Sequence, residues 1–116
     1  MSKIMIVLIV TACFIVFDLV SGLIKAFKDK SYNSSVMREG LYHKCGSIMI
    51  IALAVLIDYA QKFLELGFTL PITISVCVYI VLMEIGSIVE NVGTINPELM
   101  SEKLKQYFQK LKEKEK

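Results

Sequence analysis

Residues 4–24 read IMIVLIVTACFIVFDLVSGLI, a run of 21 residues whose only charge is Asp18. A helix of this length rises about 30 Å and therefore crosses the hydrocarbon layer of a bilayer. Two further apolar runs, residues 45–64 and 66–89, have similar lengths. The chain has 116 residues, of which 55% are hydrophobic, and a mean hydropathy of +0.62. The sequence therefore predicts an all-α integral membrane protein with about three transmembrane helices.

The second apolar run is the weakest of the three. Its first part, residues 45–57, is uncharged, but Asp58, Gln61 and Lys62 follow within the run. An alternative with only two spans would leave this run out of the membrane.

The third run is more uniform, because residues 66–83 are 18 uncharged residues that precede Glu84. Pro71 lies where the first turns of a helix are expected, and its missing N–H is tolerated there. The short connection around residues 65–67, with Gly67 as its turn residue, predicts a tight hairpin of the second and third helices.

Polar residues divide the chain into a transmembrane domain, residues 1–96, and a charged tail, residues 97–116, that carries six lysines. Between the first two spans, residues 25–44 form a basic loop. Its cations are Lys25, Lys28, Lys30, Arg38 and Lys44.

The distribution of Lys and Arg predicts the orientation of the chain. Three spans put eleven of these residues on one side and only Lys3 and Lys62 on the other. The positive-inside rule then places the amino terminus outside and the tail in the bacterial cytoplasm. Two spans would divide the cations almost evenly. A signal peptide that ends at Val20-Ser21-Gly22 is a further alternative, although Asp18 fits such a segment poorly.

Four carboxylates, those of Asp18, Asp58, Glu84 and Glu90, lie in or beside the spans. Each costs about 2.5–3.5 kcal/mol near the bilayer centre, so each needs compensation. Helical spacing groups the polar and small residues into one stripe per helix. The stripes comprise Thr11, Asp18, Ser21, Gly22 and Lys25 on the first helix, Ser47, Ala54, Asp58 and Gln61 on the second, and Thr73, Cys77, Ile80, Glu84, Ser87 and Asn91 on the third.

Two interpretations fit these stripes. The helices pack through them, or the stripes face water when several copies assemble. Lys25 or Lys28 is expected to neutralise Asp18 or Glu84 by extending its side chain along the helix. Three helices cannot enclose a pore, so an aqueous path requires a homo-oligomer. On this interpretation sister copies cover or hydrate the acidic stripes.

The tail has the pattern of an amphipathic helix. Its apolar face would consist of Met100, Leu104, Tyr107, Phe108 and Leu111. Such a helix either lies on the anionic inner leaflet or is a solvated end that keeps the protein soluble.

The sequence contains no pattern typical of an enzyme. Cys13, Cys45 and Cys77 lack metal-site spacing and are interpreted as small apolar residues. His43 is the only histidine and falls in the basic loop. We therefore predict neither catalysis nor a cofactor, metal or nucleic-acid partner.

Three groups of residues occur in order along the chain: Asp18-Leu-Val-Ser-Gly22, then Lys30-Ser31 with Met37-Arg38-Glu39-Gly40-Leu41 and Lys44, then Ser87-Ile-Val-Glu90-Asn91. Together they resemble the phage holins, including the toxin-secretion and phage-lysis holins of Gram-positive bacteria and their phages. The resemblance extends from the first span to Asn91.

The resemblance implies that the protein accumulates in the cytoplasmic membrane, oligomerises and opens a lesion that releases an endolysin or a large toxin. It singles out Asp18, Gly22, Arg38, Gly40, Glu90 and Asn91 by motif. Asp18, Ser21, Gly22, Asp58, Glu84, Ser87, Glu90 and Asn91 are then candidates for an oligomer interface or a pore wall. The basic loop would fix the cytoplasmic side.

Two other functions remain open from the sequence. One is a small proton- or cation-coupled transporter or channel subunit, in which Asp18 or Glu84 binds the ion. The other is an antiholin that regulates pore assembly.

Overall fold

The computed structural model describes residues 2–30, 33–99 and 102–114. Helix α1 spans Lys3–Asp29, α2 spans Ser34–Leu64 and α3 spans Ile72–Ile95. A short 3₁₀ turn, Pro97–Leu99, leads to α4, Glu102–Lys114. The described residues contain no strand, and α1, α2 and α3 are long and apolar enough to cross a membrane. The predicted all-α fold with three membrane-length helices and a C-terminal helix is confirmed.

The first connection is much shorter than the predicted loop, residues 25–44. Helix α1 continues to Asp29 and ends where Lys30 adopts a left-handed conformation and donates its N–H to Ala26 O. Helix α2 begins at Ser34, because the Asn33 side chain accepts a hydrogen bond from Ser35 N at 2.8 Å. Most of the predicted basic loop is therefore helical.

The second connection is longer than predicted, because α3 begins at Ile72 rather than at residue 66. Glu65 ends α2 with a positive φ of 47°, and Gly67 follows with a φ of 82°. Glycine adopts that conformation without steric cost, so the prediction of Gly67 as a turn residue is confirmed. Pro71 occupies the N-cap position just before α3, rather than a position inside its first turns.

Helix α3 lies at the centre of the bundle. Both α1 and α2 pack against it, but they scarcely contact each other. Few large apolar side chains are enclosed, and many face outward, among them Phe17, Met49 and Phe63. Polar side chains occupy much of the interior instead. This distribution suits a protein whose solvent is lipid.

The interior of the bundle coincides largely with the predicted polar stripes. The buried stripe residues are Thr11, Asp18 and Ser21 on α1, Ala54 and Gln61 on α2, and Thr73, Cys77, Ile80, Glu84 and Asn91 on α3. Within one chain, these helices therefore pack through their stripes. The argument that sister copies are needed to cover the stripes is wrong, because α3 already covers those of α1 and α2.

Asp58 and Gln61 of α2 organise the start of α3. The Asp58 carboxylate accepts hydrogen bonds from Ile72 N at 3.1 Å and Thr73 N at 3.0 Å. Gln61 bonds both backbone groups of Leu70, at 2.5 Å to its N–H and 3.1 Å to its carbonyl oxygen. Pro71 has no side-chain acceptor for the free N–H groups of the first turn. Asp58 therefore caps α3 from the neighbouring helix, where its negative charge also suits the helix dipole.

We expect Asp58→Ala to lower the free energy of unfolding by about 1–2 kcal/mol, the usual cost of losing an N-cap acceptor. Asp58→Asn should cost less, because one acceptor oxygen remains. Unfolding by SDS in mixed micelles, followed by circular dichroism, measures both changes. Glu39→Ala removes an exposed carboxylate from the same helix and should change stability by less than about 0.5 kcal/mol. Equal effects of Asp58→Ala and Glu39→Ala would exclude the capping role.

Candidate functional site

The centre of the bundle holds an ion cluster made of one residue from each long helix. Lys44 Nζ of α2 donates hydrogen bonds to Asp18 Oδ2 of α1 and, at 2.7 Å, to Glu84 Oε2 of α3. The side chains of Lys44, Asp18 and Glu84 are only 16%, 9% and 5% exposed. We call these three residues the ion cluster.

The ion cluster explains how the two carboxylates are tolerated. An unpaired charge is expensive in a buried site, whereas one with a counterion and hydrogen bonds is far less so. A single lysine serves both acids and thereby ties α1, α2 and α3 together. The cluster lies about 16 Å from the ends of α1 and α3 near the first connection, as judged from the helical rise.

The prediction that Lys25 or Lys28 neutralises Asp18 or Glu84 is wrong. Lys28 instead donates to the carbonyl oxygens of Thr94, at 2.6 Å, and Ile95, at 2.8 Å. These are the last carbonyls of α3, which lack partners within the helix and attract a cation. Lys28 therefore fastens the end of α1 to the end of α3.

Lys44 was missed as a partner because hydropathy places it outside the second span. A signal was nevertheless present. Lys44 lies three residues before Ser47 and so extends the polar stripe of α2 by one helical step. Because α2 begins at Ser34, that stripe continues through Lys44 toward the first connection.

Asn91 adds a second polar layer next to the ion cluster. Its Nδ2 donates to Asp18 Oδ1 and to Ser21 Oγ, each at 3.0 Å. Gly22 lies against the same amide, since a Cβ on Gly22 would be 3.6 Å from Asn91 Nδ2. That is an ordinary van der Waals distance, so the packing of α1 against α3 does not require a glycine at position 22. Ser87 lines the space beside Asp18 and Lys44.

The other two predicted carboxylates lie away from the ion cluster. Asp58 caps α3 near the second connection. Glu90 is on the surface of α3, where its carboxylate pairs with Lys112 of α4. The eight predicted interface residues thus divide into six near the centre, namely Asp18, Ser21, Gly22, Glu84, Ser87 and Asn91, and two elsewhere.

Helix α4 folds back against α3. Lys112 pairs with Glu90, and its aliphatic carbons lie over Gly86, where no side chain intervenes. Leu111 is half-buried and Tyr107 is exposed. Met100 and the side chains of Leu104 and Phe108, which belong to the predicted apolar face, lie outside the described part of the chain. The amphipathic arrangement of the tail therefore stays a prediction.

The remaining cations of the predicted basic loop lie near the first connection. Lys30 ends α1, Arg38 is exposed on the first turns of α2, and Lys25 lines a cleft that leads to the ion cluster. Of the five cations of the predicted basic loop, only Lys44 reaches the ion cluster.

A family model described as the bacteriophage holin family matches residues 1–113. The chain belongs to the bacteriophage holin family. The match includes the three long helices and nearly all of α4. It therefore covers the ion cluster and also Asp58, which caps the start of α3. The resemblance seen in the sequence is confirmed. A search of curated proteins and a search of solved structures each found no match.

Proposed function

We propose that this holin oligomerises in the bacterial cytoplasmic membrane and opens a lesion through which an endolysin or a large toxin leaves the cell. The observation that carries the proposal is the family match over residues 1–113. Three membrane-length helices with an apolar exterior support it, because they provide a body that lipid can surround.

We also propose that the amino terminus lies outside and the tail lies in the cytoplasm. Lys44 neutralises buried carboxylates and is best left out of the count of topogenic charges. Ten Lys and Arg residues then lie on the side of the first connection and the tail, against Lys3 and Lys62 on the other. The positive-inside argument keeps its direction.

The closed bundle supports a specific role for the ion cluster. Within the described residues, a single chain buries most of its polar stripes and encloses no channel that a protein could pass. For several copies to line an aqueous lesion, α1 and α2 must separate at least partly from α3 and turn those stripes toward water. The ion cluster stabilises the closed bundle against that separation. Asp18, Glu84 and Asn91 would then face the lesion or a neighbouring copy.

Expression of the chain together with an endolysin that lacks a signal peptide tests this function. We expect growth to continue after induction, followed by an abrupt loss of membrane potential, release of the endolysin and lysis. The same cells with the endolysin alone should keep growing. Steady growth with an intact membrane potential, at high levels of the chain in the membrane, would exclude the lesion.

A further inference from the structure

A cleft of about 390 Å³ opens between α1 and α2 near the first connection. Its base is formed by Asp18, Lys44, Ser87 and Asn91, and Lys25 lies near its mouth. The cleft exists because α1 and α2 pack against α3 and scarcely contact each other. It is about 10 Å deep, since Lys25 lies seven positions after Asp18 along α1.

The base of the cleft is unsuited to lipid. An ammonium group has three donors, and Lys44 uses one for Asp18 and one for Glu84. The Lys44 side chain also keeps 16% of its surface exposed. The walls of the cleft are largely apolar, but its base offers water several polar partners, and its volume corresponds to roughly 13 molecules at about 30 Å³ each. A lipid chain in the same place would lie against the ion cluster and could not accept the third hydrogen bond of the Lys44 ammonium.

We infer that this cleft is a water-filled crevice that connects the membrane surface at the first connection with the ion cluster. The crevice belongs to the single, closed chain and exists before any lesion forms. It is therefore separate from the proposed function and does not depend on the orientation of the chain. Its consequence is that the ion cluster contacts water from one side only.

A neighbouring face of α1, about 100° around the helix, provides an internal comparison. Val20 and Ile24 line an apolar groove of about 640 Å³ between α1 and α3, whereas Leu19 and Leu23 line the crevice. In the isolated chain Val20 and Ile24 are 48% and 49% exposed, but Leu19 and Leu23 are only partly exposed. In a membrane, Leu19 and Leu23 contact more water than Val20 and Ile24, because lipid covers the apolar groove.

Cysteine accessibility distinguishes the two faces. Leu19→Cys, Val20→Cys, Leu23→Cys and Ile24→Cys are placed singly in a chain with Cys13→Ala, Cys45→Ala and Cys77→Ala. Vesicles that still hold a membrane potential contain no open lesion. They are treated on both faces with a charged, membrane-impermeant methanethiosulfonate, which needs a hydrated thiolate. We expect Leu19→Cys and Leu23→Cys to react roughly tenfold faster, or more, than their neighbours Val20→Cys and Ile24→Cys.

Gly40→Cys on α2 provides a second measurement that does not disturb packing. No atom lies within 4 Å of a Cβ at Gly40, which also lines the crevice. This thiol should react as fast as that of Leu23→Cys. Failure of Leu19→Cys and Gly40→Cys to react, or equal rates within each neighbouring pair on α1, would overturn the crevice. Neither result would bear on lesion formation.

Discussion

Lys44→Met is expected to lower the free energy of unfolding of the bundle by about 3–5 kcal/mol, the usual cost of removing one partner from a buried ion pair. The substitution leaves Asp18 and Glu84 next to each other without their shared cation. Unfolding by SDS in mixed micelles measures the change. The thiol of Cys77 is a suitable probe, because its side chain is buried in α3 and becomes reactive only when the helices separate. Cys13→Ala and Cys45→Ala remove the two exposed thiols.

Two variants control for the loss of a positive charge and for the change of side-chain volume. Lys25→Met removes a lysine at the mouth of the crevice and should cost less than about 0.5 kcal/mol. The triple variant Asp18→Leu, Lys44→Met, Glu84→Leu removes all three charges and should regain most of the lost stability, as replacement of whole buried ion clusters commonly does. If Lys44→Met is no less stable than Lys25→Met, the ion cluster does not hold the bundle together.

The second large effect concerns the timing of the lesion. If the closed bundle must open before copies assemble, a less stable bundle populates the open state more. Lys44→Met should therefore shorten the delay between induction and depolarisation, by roughly twofold or more at equal amounts of protein in the membrane. A potential-sensitive dye in growing cells measures the delay.

Lys25→Met is the matched control for timing, because it removes the same charge outside the ion cluster. Its delay should equal that of the unchanged chain. If Lys44→Met and Lys25→Met have the same delay, the stability of the bundle does not control the timing of the lesion. The ion cluster then has no role in the proposed mechanism.

Hydropathy and helical spacing were sufficient to predict the three long helices and most of the residues that face the interior. The role of Lys44 could not be predicted from hydropathy. A hydropathy run stops at the first charge, whereas the helix continues as long as its backbone hydrogen bonds are made. Helical spacing would have extended the predicted stripe of α2 from Ser47 to Lys44. The sequence alone does not reveal that α3 lies at the centre and brings three stripes together.

Asp58 and Glu90 illustrate a second limit. The cost of a carboxylate in lipid predicts that each has a partner but does not identify it. The partner of Asp58 is the uncapped start of α3, and Pro71 was the relevant signal, since a proline before a helix offers no capping side chain. The partner of Glu90 is Lys112, which comes from a separate helix 22 positions later. Such a pairing depends on how α4 folds back on α3.

A reversible crosslink between α1 and α3 tests the central claim, that the closed bundle must open for the lesion to form. Gly22 lies against the side chain of Asn91, so Gly22→Cys and Asn91→Cys, in a chain without its native cysteines, are the pair chosen for a disulfide between the two helices. Loss of the free thiols after oxidation shows that the disulfide has formed. After oxidation with copper phenanthroline, induced cells should keep their membrane potential; reduction with dithiothreitol should then cause prompt depolarisation. Depolarisation on schedule with the disulfide intact would contradict the claim.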